Sequence, residues 1–461
     1  MKQNNIIILI VLDTVRPDYL SCYNSQRGPT PNIDKLANDS MCYRNAYSCS
    51  PWTLPSHASL FTGTYVSTHK TDSSSKFLNN TLPTIASVLS EEGYQTSGIS
   101  NNMWISRKAG FNRGFNNFWH AWEILQQDRY RGYIGAALRK LYLRMIYKKL
   151  TFGTERIIRK AKTELVRLHE SKPFMMFINF MEAHLPYCPP DKILRQILPT
   201  QISLREIKDV NLDAFKYMTG RIPMGEEDFE KLKVLYQAEV NYLDLCLGRF
   251  FNFMKKLKIY DKSMIIVLSD HGGNLGEHKL LDHQFCLYET LLKIPLLIKY
   301  PYQEIRGESF MRVQNIDIFP TIVDELNLNG RICSEYLQGI SLKDKKSLGD
   351  RKYLYAEYHE INPSRETLLS INPKFNVESI EESLITIIAD KWKYIKHEKN
   401  RDELFFIPND PLESNNLADI DSEKLWKKEI SKMPKFDICY SGKNYDFDSD
   451  TLKSLAALGY I

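Results

Sequence analysis

Four short stretches of this chain carry side chains suited to metal-assisted ester chemistry. In LSDHGGNLGEH, Asp270 and His271 stand side by side, and the glycines behind them let backbone come close to a ligand. A carboxylate and an imidazole held together are donors for a divalent cation, and Asp13 in VLDTVRPD offers a further carboxylate. His278, Asp282 and His283 follow in the same loop, a density of titratable groups that packing alone seldom needs. In YSCSPWTLPSHASLFTGTY, hydroxyls and His57 open a helical run that closes at Gly63. A hydroxyl there lies where the helix dipole and free amides favour an anion. His184 sits in MEAHLPYCPP, a loop stiffened by prolines. Taken singly, Asp13, Thr53 or Ser56 would serve as a helix cap, and His184 as a structural histidine.

Bringing such groups together requires strands that end beside one another. Four apolar runs, Ile6–Leu12, 173–180, 264–268 and 295–298, predict fully buried parallel strands separated by helical segments, the pattern of a doubly wound α/β sheet. Asp13, then Glu182 and His184, then Asp270 and His271 fall just past the carboxyl ends of the first three. Ligands bind at that edge of such sheets. Residues 82–93 predict a capped helix ending at Gly93. The basic stretch 129–167 predicts a long helix with Tyr133, Leu138, Leu141 and Ile146 on one face, which either packs inward or meets a membrane surface near a lipid-linked substrate. Beyond about residue 345 the segments shorten, through YLYAEY and LITIIADKWKYIKH. This divides the chain into a catalytic domain, 1–345, and a smaller α+β subdomain, 346–461.

The 461 residues are 43% hydrophobic and 25% charged, with a net charge of +5, ordinary globular usage and far from a nucleic-acid-binding signature. The eight cysteines are scattered with no CxxC pair, which predicts reduced thiols and a cytoplasmic chain. The first apolar run is short for a signal peptide, and none reaches the roughly 18 residues of a membrane span.

The pieces VLDTVRPDYL, TPNIDKLA, TLPSHASLFTG, LPTIASVLSEEGYQTSGIS, FINFMEAHLPYCPP, YQAEVNYLDLCLGRF, SDHGGNLGEH, NIDIFPTIVDEL, LQGISL, DELFFIPNDPLESNNLAD and LAALGYI resemble, in order and from end to end, the sulfatase family of the alkaline phosphatase superfamily. The resemblance implies an alkaline-phosphatase-like fold, a large mostly parallel sheet flanked by helices. It implies one divalent ion, Ca or Mn ahead of Zn or Mg, held by Asp13, Asp270 and His271 with the nucleophile completing the shell. It also implies that His184, His278 and His283 hold the ester's oxygens or protonate the leaving group.

The family's nucleophile motif is Cys or Ser, any residue, Pro, any residue, Arg, before a helix ending in Leu-Thr-Gly. Cys49-Ser50-Pro51-Trp52-Thr53 fits its start without the arginine, whereas counting back from Phe61-Thr62-Gly63 puts Thr53 in the nucleophile place and His57 in place of the arginine. The helix end is the firmer anchor. Thr14 stands where many members carry a second acid, and Asn101 and Asn102 stand near a common sulfate-binding lysine. A cysteine in this motif can become formylglycine, whose hydrate expels sulfate by collapsing to the aldehyde; threonine cannot. The implied function is a metal-dependent hydrolase of a sulfuric ester on a saccharide or glycoconjugate, working through a covalent intermediate. The alternatives are a phosphodiesterase or phosphotransferase using Thr53 on a glycan or lipid-linked glycan, and a silent glycan-binding member.

Overall fold

A computed structural model describes residues 6–26, 28–121, 153–170, 173–329, 336–359, 364–419, 424, 426–428 and 431. The helix face expected at Tyr133, Leu138, Leu141 and Ile146, two of the cysteines (333 and 439) and the closing LAALGYI lie outside these residues. The six described cysteines are free thiols.

The elements that matter here, in chain order, are β1 (Ile6–Leu12), β2 (Met41–Tyr47), α1 (Thr53–Thr62), α2 (Ile85–Glu91), β3 (Gln95–Ser100), β4 (Asn117–His120), α3 (Thr154–Leu168), β5 (Phe174–Phe180), α4 (Glu226–Lys256), β6 (Ser263–Leu268), β7 (Asn274–Leu275), β8 (Leu281–Asp282), β9 (Lys293–Ile294), β10 (Leu296–Lys299), β11 (Gly307–Gln314), α5 (Ile318–Glu325), β12 (Leu354–Tyr358), β13 (Leu384–Ile388), β14 (Trp392–His397) and β15 (Glu403–Phe406). The main sheet runs β11-β2-β10-β6-β1-β5-β3-β4, with β9 paired to β2. β1 lies between β5 and β6, parallel to both, so the three strands end together and their tips face one edge.

Side chains of β1 alternate between two cores, as strand geometry demands. Ile7, Leu9 and Val11 pack with α1, α2 and α5 on one face. Ile6, Ile8, Ile10 and Leu12 pack with α3 and α4 on the other. All seven are 1% exposed or less, which explains the unbroken apolar run. Of the basic stretch, α3 is described, and it turns Ile157, Ile158, Ala161, Leu165 and Leu168 into the second core. Thr84 and Ser87 cap α2 reciprocally, and Gly93 follows at φ +85°, as the 82–93 segment predicts.

The fourth apolar run corrects the expectation of a parallel strand: β10 is antiparallel to both β6 and β2. The link from β6 to β10 carries the site loop, the β7–β8 hairpin and a single helical turn, Glu289–Leu292, rather than a crossover helix. The chain therefore re-enters the sheet from the end it left. Burial on both faces looks alike in either direction, so the apolar pattern does not reveal it.

Within the region expected as the C-terminal subdomain, β12 to β15 form their own antiparallel sheet. It is tied to the main body where the Glu357 amide donates to the Cys49 carbonyl and where Lys393 bonds Glu289. Among the described residues no helix is long and apolar enough to cross a membrane.

Candidate active site

Every residue of α1 is buried, and Thr53 is its first residue. Gly63 closes it in the left-handed region, φ +69°, where an added Cβ would meet Leu337 at 2.6 Å. The helix is pinned from below. Ser56 Oγ donates to the Asp270 carbonyl at 2.6 Å, and Asn315 Nδ2 donates to Ser56 O and Oγ at 3.1 and 3.0 Å. This sets the N-terminus of α1 against the tip of β6. Gly272 lets the loop after β6 pass close to the helical turn 289–292: a Cβ there would lie 2.1 Å from the Thr290 carbonyl, and its amide donates to the Leu291 carbonyl at 2.7 Å.

The sequence-predicted metal ligands Asp13, Asp270 and His271 do meet: one donor atom from each lies within 4.8 Å of the others. Asp270 Oδ1 accepts from the His271 amide at 2.9 Å and the Thr14 amide at 3.3 Å, which leaves Oδ2 buried without a hydrogen bond. Asn102 Nδ2 donates to Asp13 Oδ2 at 2.7 Å, and Asp13 Oδ1 is likewise buried without one. Burial, then the Asp270 charge, pushes the Asp13 carboxyl well above its ordinary range, with Asn102 opposing. Burial raises Asp270 too, with His57 opposing. Unsatisfied carboxylate oxygens in a dry site are costly without a counter-ion. These donors fit a divalent cation.

Thr53 Oγ1 lies 3.3 Å from His271 Nε2, and His271 Nδ1 donates to the Gly272 carbonyl at 2.7 Å. That bond puts the ring proton on Nδ1, and burial keeps the imidazole neutral, lowered to about 4. Cys49 sits elsewhere. Its amide donates to Asn315 Oδ1, its side chain packs with Tyr65, Ile316 and Tyr355, and burial, Asp317 and Glu357 push its thiol well up.

His57 lies under the acid pair. Nδ1 donates to the Thr53 carbonyl at 2.9 Å and stands 3.4 Å from Asp270 Oδ2, while the ring meets Phe111 and Phe177 edge to face. Burial lowers its pKa although Asp270 opposes. Thr14, in place of a second acid, reaches the Ala183 carbonyl at 2.6 Å and ties the tip of β1 to the loop after β5. Asn102 orients Asp13, whereas Asn101 stands near Gly153, at the start of α3.

His184 and His283 form a second group with Asp282, Nε2 to Nε2 at 3.1 Å, and the His283 ring lies 4.6 Å from that of His271. Burial lowers His184 to about 4 and, with His271 and His184 beside it, takes His283 well down. His278 does not join them: it stacks on Tyr288 with ring centroids 3.7 Å apart, and Tyr288 bonds Glu403 of β15. Glu182, at the tip of β5, turns to Thr154 and lies against Glu239, away from the site.

Sequence reasoning gives one contributor no role of its own and misses two others. Asp282 was singled out only as part of a polar loop. Asn315 holds Ser56 from within NIDIFPTIVDEL, and nothing in its type or spacing marks it. Arg16, 8% exposed, bonds Asp18, Glu277 and the Gly273 carbonyl and so locks the loop after β1 to the loop after β6.

Residues 5–328 match the family model described as Sulfatase, and residues 276–435 match the model described as N-sulphoglucosamine sulphohydrolase, C-terminal. The chain is 25% identical to N-acetylglucosamine-6-O-sulfatase of Bacteroides thetaiotaomicron, covering 90% of this chain and 83% of that one. It is 23% identical to choline-sulfatase of Rhizobium meliloti, over 84% and 77%. Among solved structures, BT4656 in complex with its substrate D-glucosamine-2-N,6-O-disulfate has a TM-score of 0.68 at 20% identity, over 99% of this chain and 98% of that one. The phosphonate monoester hydrolase of Agrobacterium radiobacter also has a TM-score of 0.68, at 18% identity over 93% and 94%.

Proposed function

The chain belongs to the sulfatase family and is a sulfatase-like ester hydrolase; from that premise we propose that it cleaves a sulfuric ester on a saccharide or glycoconjugate, with Thr53 as the nucleophile. The observation that carries this reading is Thr53 Oγ1 against His271 Nε2, at the N-terminus of a fully buried helix and beside the Asp13 and Asp270 carboxylates. The relative that acts as an N-acetylglucosamine-6-O-sulfatase and the fold neighbour held with a disulfated glucosamine support a sugar sulfate as substrate.

Asp13, Asp270, His271 and the Thr53 hydroxyl would hold one divalent cation. When bound, it would lower the pKa of that hydroxyl and polarise the ester. Thr53 Oγ attacks sulfur as the bond from sulfur to the sugar oxygen breaks, so the sulfuryl group passes to Thr53. The Thr53 hydroxyl gives up its proton and the departing sugar oxygen gains one, with His184 or His283 as the relay, so the sugar leaves as a neutral alcohol. Water then attacks the sulfuryl group, releases sulfate and returns the threonine hydroxyl. His57 and Asn102 act as positioning residues, the first on Asp270 and the first turn of α1, the second on Asp13.

A second reading, transfer or hydrolysis of a phosphodiester or phosphonate, is favoured by the threonine itself, which has no aldehyde route for expelling sulfate. The fold neighbour that is a phosphonate monoester hydrolase agrees with it. Purified protein assayed on aryl sulfate, aryl phosphodiester and aryl phosphonate panels with several divalent metals separates the two readings. No turnover on any of them would favour a silent glycan binder. Thr53→Ala is expected to lower turnover by on the order of a thousandfold or more while keeping the fold. An active Thr53→Ala, with a dead Cys49→Ala, would move the nucleophile to Cys49.

A further inference from the structure

We infer that a pocket of about 340 Å³ between the β3–β4 loop and the segment before α2 is a separate carbohydrate site that takes a sulfated sugar residue. Phe77 and Asn80 come from the segment before α2, and Arg107, Lys108, Asn112 and Arg113 from the loop. The Leu78 amide donates to the Ala109 carbonyl at 2.9 Å and holds the two together. None of the candidate metal, nucleophile or relay residues lines this pocket. Elsewhere the same loop serves the catalytic centre, where Asn102 bonds Asp13 and Phe111 meets His57.

Charge and hydrogen bonding select the ligand. Arg107, Lys108 and Arg113 bring positive charge to the lining, and among the described residues no acid lines the pocket with them. Arg113 gives its Nη1 and Nη2 to the Asn79 and Leu82 carbonyls, at 3.0 and 2.6 Å, and no described carboxylate pairs with it. Burial alone draws its pKa down, as for a guanidinium without a counter-charge. Its Nε is buried without a hydrogen bond, and so is Nδ2 of Asn79, a residue 2% exposed. Unmet donors beside an uncompensated cation call for an anion.

The space is larger than a lone tetrahedral oxyanion needs and falls among ligand pockets of roughly 300–1,000 Å³. Phe77 supplies an aromatic wall, and Gly110, at φ +82°, lets the loop pass close to it, since a Cβ there would meet the Phe77 ring at 3.0 Å. A pyranose lays its C–H face on such a ring, Asn80 and Asn112 offer amides to its hydroxyls, and the guanidinium and ammonium groups take its sulfate. The choice of a sulfated sugar rests on the sugar-sulfate reading of the active site; the need for an anion does not.

Footprinting of the full-length protein tests the pocket without relying on turnover. Lys108 is exposed, and its acetylation by an N-hydroxysuccinimide ester is followed by mass spectrometry, with exposed Lys374 as the reference. A saturating sulfated tetrasaccharide should slow acetylation of Lys108 relative to Lys374 by about fivefold or more, and the desulfated sugar should leave it unchanged. Arg113→Gln should remove the protection, with circular dichroism as the control for folding. Arg113 also holds two backbone carbonyls, so Asn112→Asp, which places an acid in the lining at nearly constant volume, is the second variant and should cut the protection at least by half. Equal acetylation of Lys108 with and without the sulfated sugar, or undiminished protection in folded Asn112→Asp, would overturn the site. Sulfate release from the same sugar is measured in parallel: protection without release supports the pocket and sinks the hydrolase reading, whereas release without protection sinks the pocket alone.

Discussion

At the junction with the C-terminal sheet, Glu289 and Glu413 share Lys393, at 3.2 and 2.7 Å, with the lysine side chain 0% exposed. At the tips of β1 and β6, the basic groups against Asp13 and Asp270 are His57 and His271, both drawn down by burial. The first set carries its cation in the sequence: burial works against Lys393, but Glu413 and Glu289 beside it hold its pKa above the ordinary lysine value. The second set leaves its positive charge to be supplied. Equal burial thus has two meanings, a closed ion cluster that ties two sheets together and an open one with oxygens aimed at a ligand.

The largest expected effect breaks the closed cluster. Lys393→Ala strands two buried carboxylates and should lower stability by about 3–5 kcal/mol, read from the shift in the urea-unfolding midpoint. A shift within the range of ordinary surface substitutions would mean that the triad is not a true ion cluster.

The open cluster should behave in the opposite way. A divalent cation added to chelator-treated protein at a hundredfold excess over its Kd should stabilise it by about 2.7 kcal/mol, and the same addition should leave the Lys393→Ala deficit unrepaired. Asp13→Asn keeps the Asn102 contact but removes a charge facing Asp270; it should stabilise the metal-free protein by about 1–2 kcal/mol and diminish the response to cation. A metal-free Asp13→Asn protein that melts lower than wild type would erase the distinction between the clusters.

The smallest effect is the pH slope. Burial lifts Asp282 to about 7, and burial together with Glu182 lifts Glu239 to about 8. Folded, these acids bind more protons than when unfolded, so their stabilisation is full below their unfolded pKa and is lost as pH rises through 7 to 8. His184 and His271, lowered to about 4, contribute stability above the ordinary histidine value of 6.5 and lose it as pH falls toward 4. From about pH 6.5 to 8 these acids lose their protons, and His359 and His397, drawn down by partial burial but raised overall above the ordinary histidine value by Glu357 and by Glu403 and Glu382, change in the same direction, so the melting temperature of metal-free protein should fall across that window. A flat or rising profile would show that these carboxyls are not held protonated.

How much of this was legible in the sequence followed how plainly burial was written. β1, β5 and β6 are apolar throughout, and their tips correctly announced that Asp13, Asp270, His271 and His184 share one edge. β3 (QTSGIS) and β2 (MCYRNAY) are polar by composition although buried or half-buried, and so went unread as strands. The loop from Gly276 to Phe285 was the least legible part. His278, Lys279, Asp282 and Phe285 all take positive φ there, a path that no apolar period encodes. Its turns send His278 to Tyr288 and bring Asp282 inward, reversing the importance that spacing alone assigned to each.

The candidate donors Asp13, Thr53, Asp270 and His271 are each 1% exposed or less. An ion held by such groups leaves only when the surrounding strand tips and loops open, so its residence time follows the frequency of local opening rather than ligand strength alone. The metal present while the chain folds would then outlast a later change in the surrounding metal supply. Protein refolded in one metal and transferred to another would carry a memory of its history.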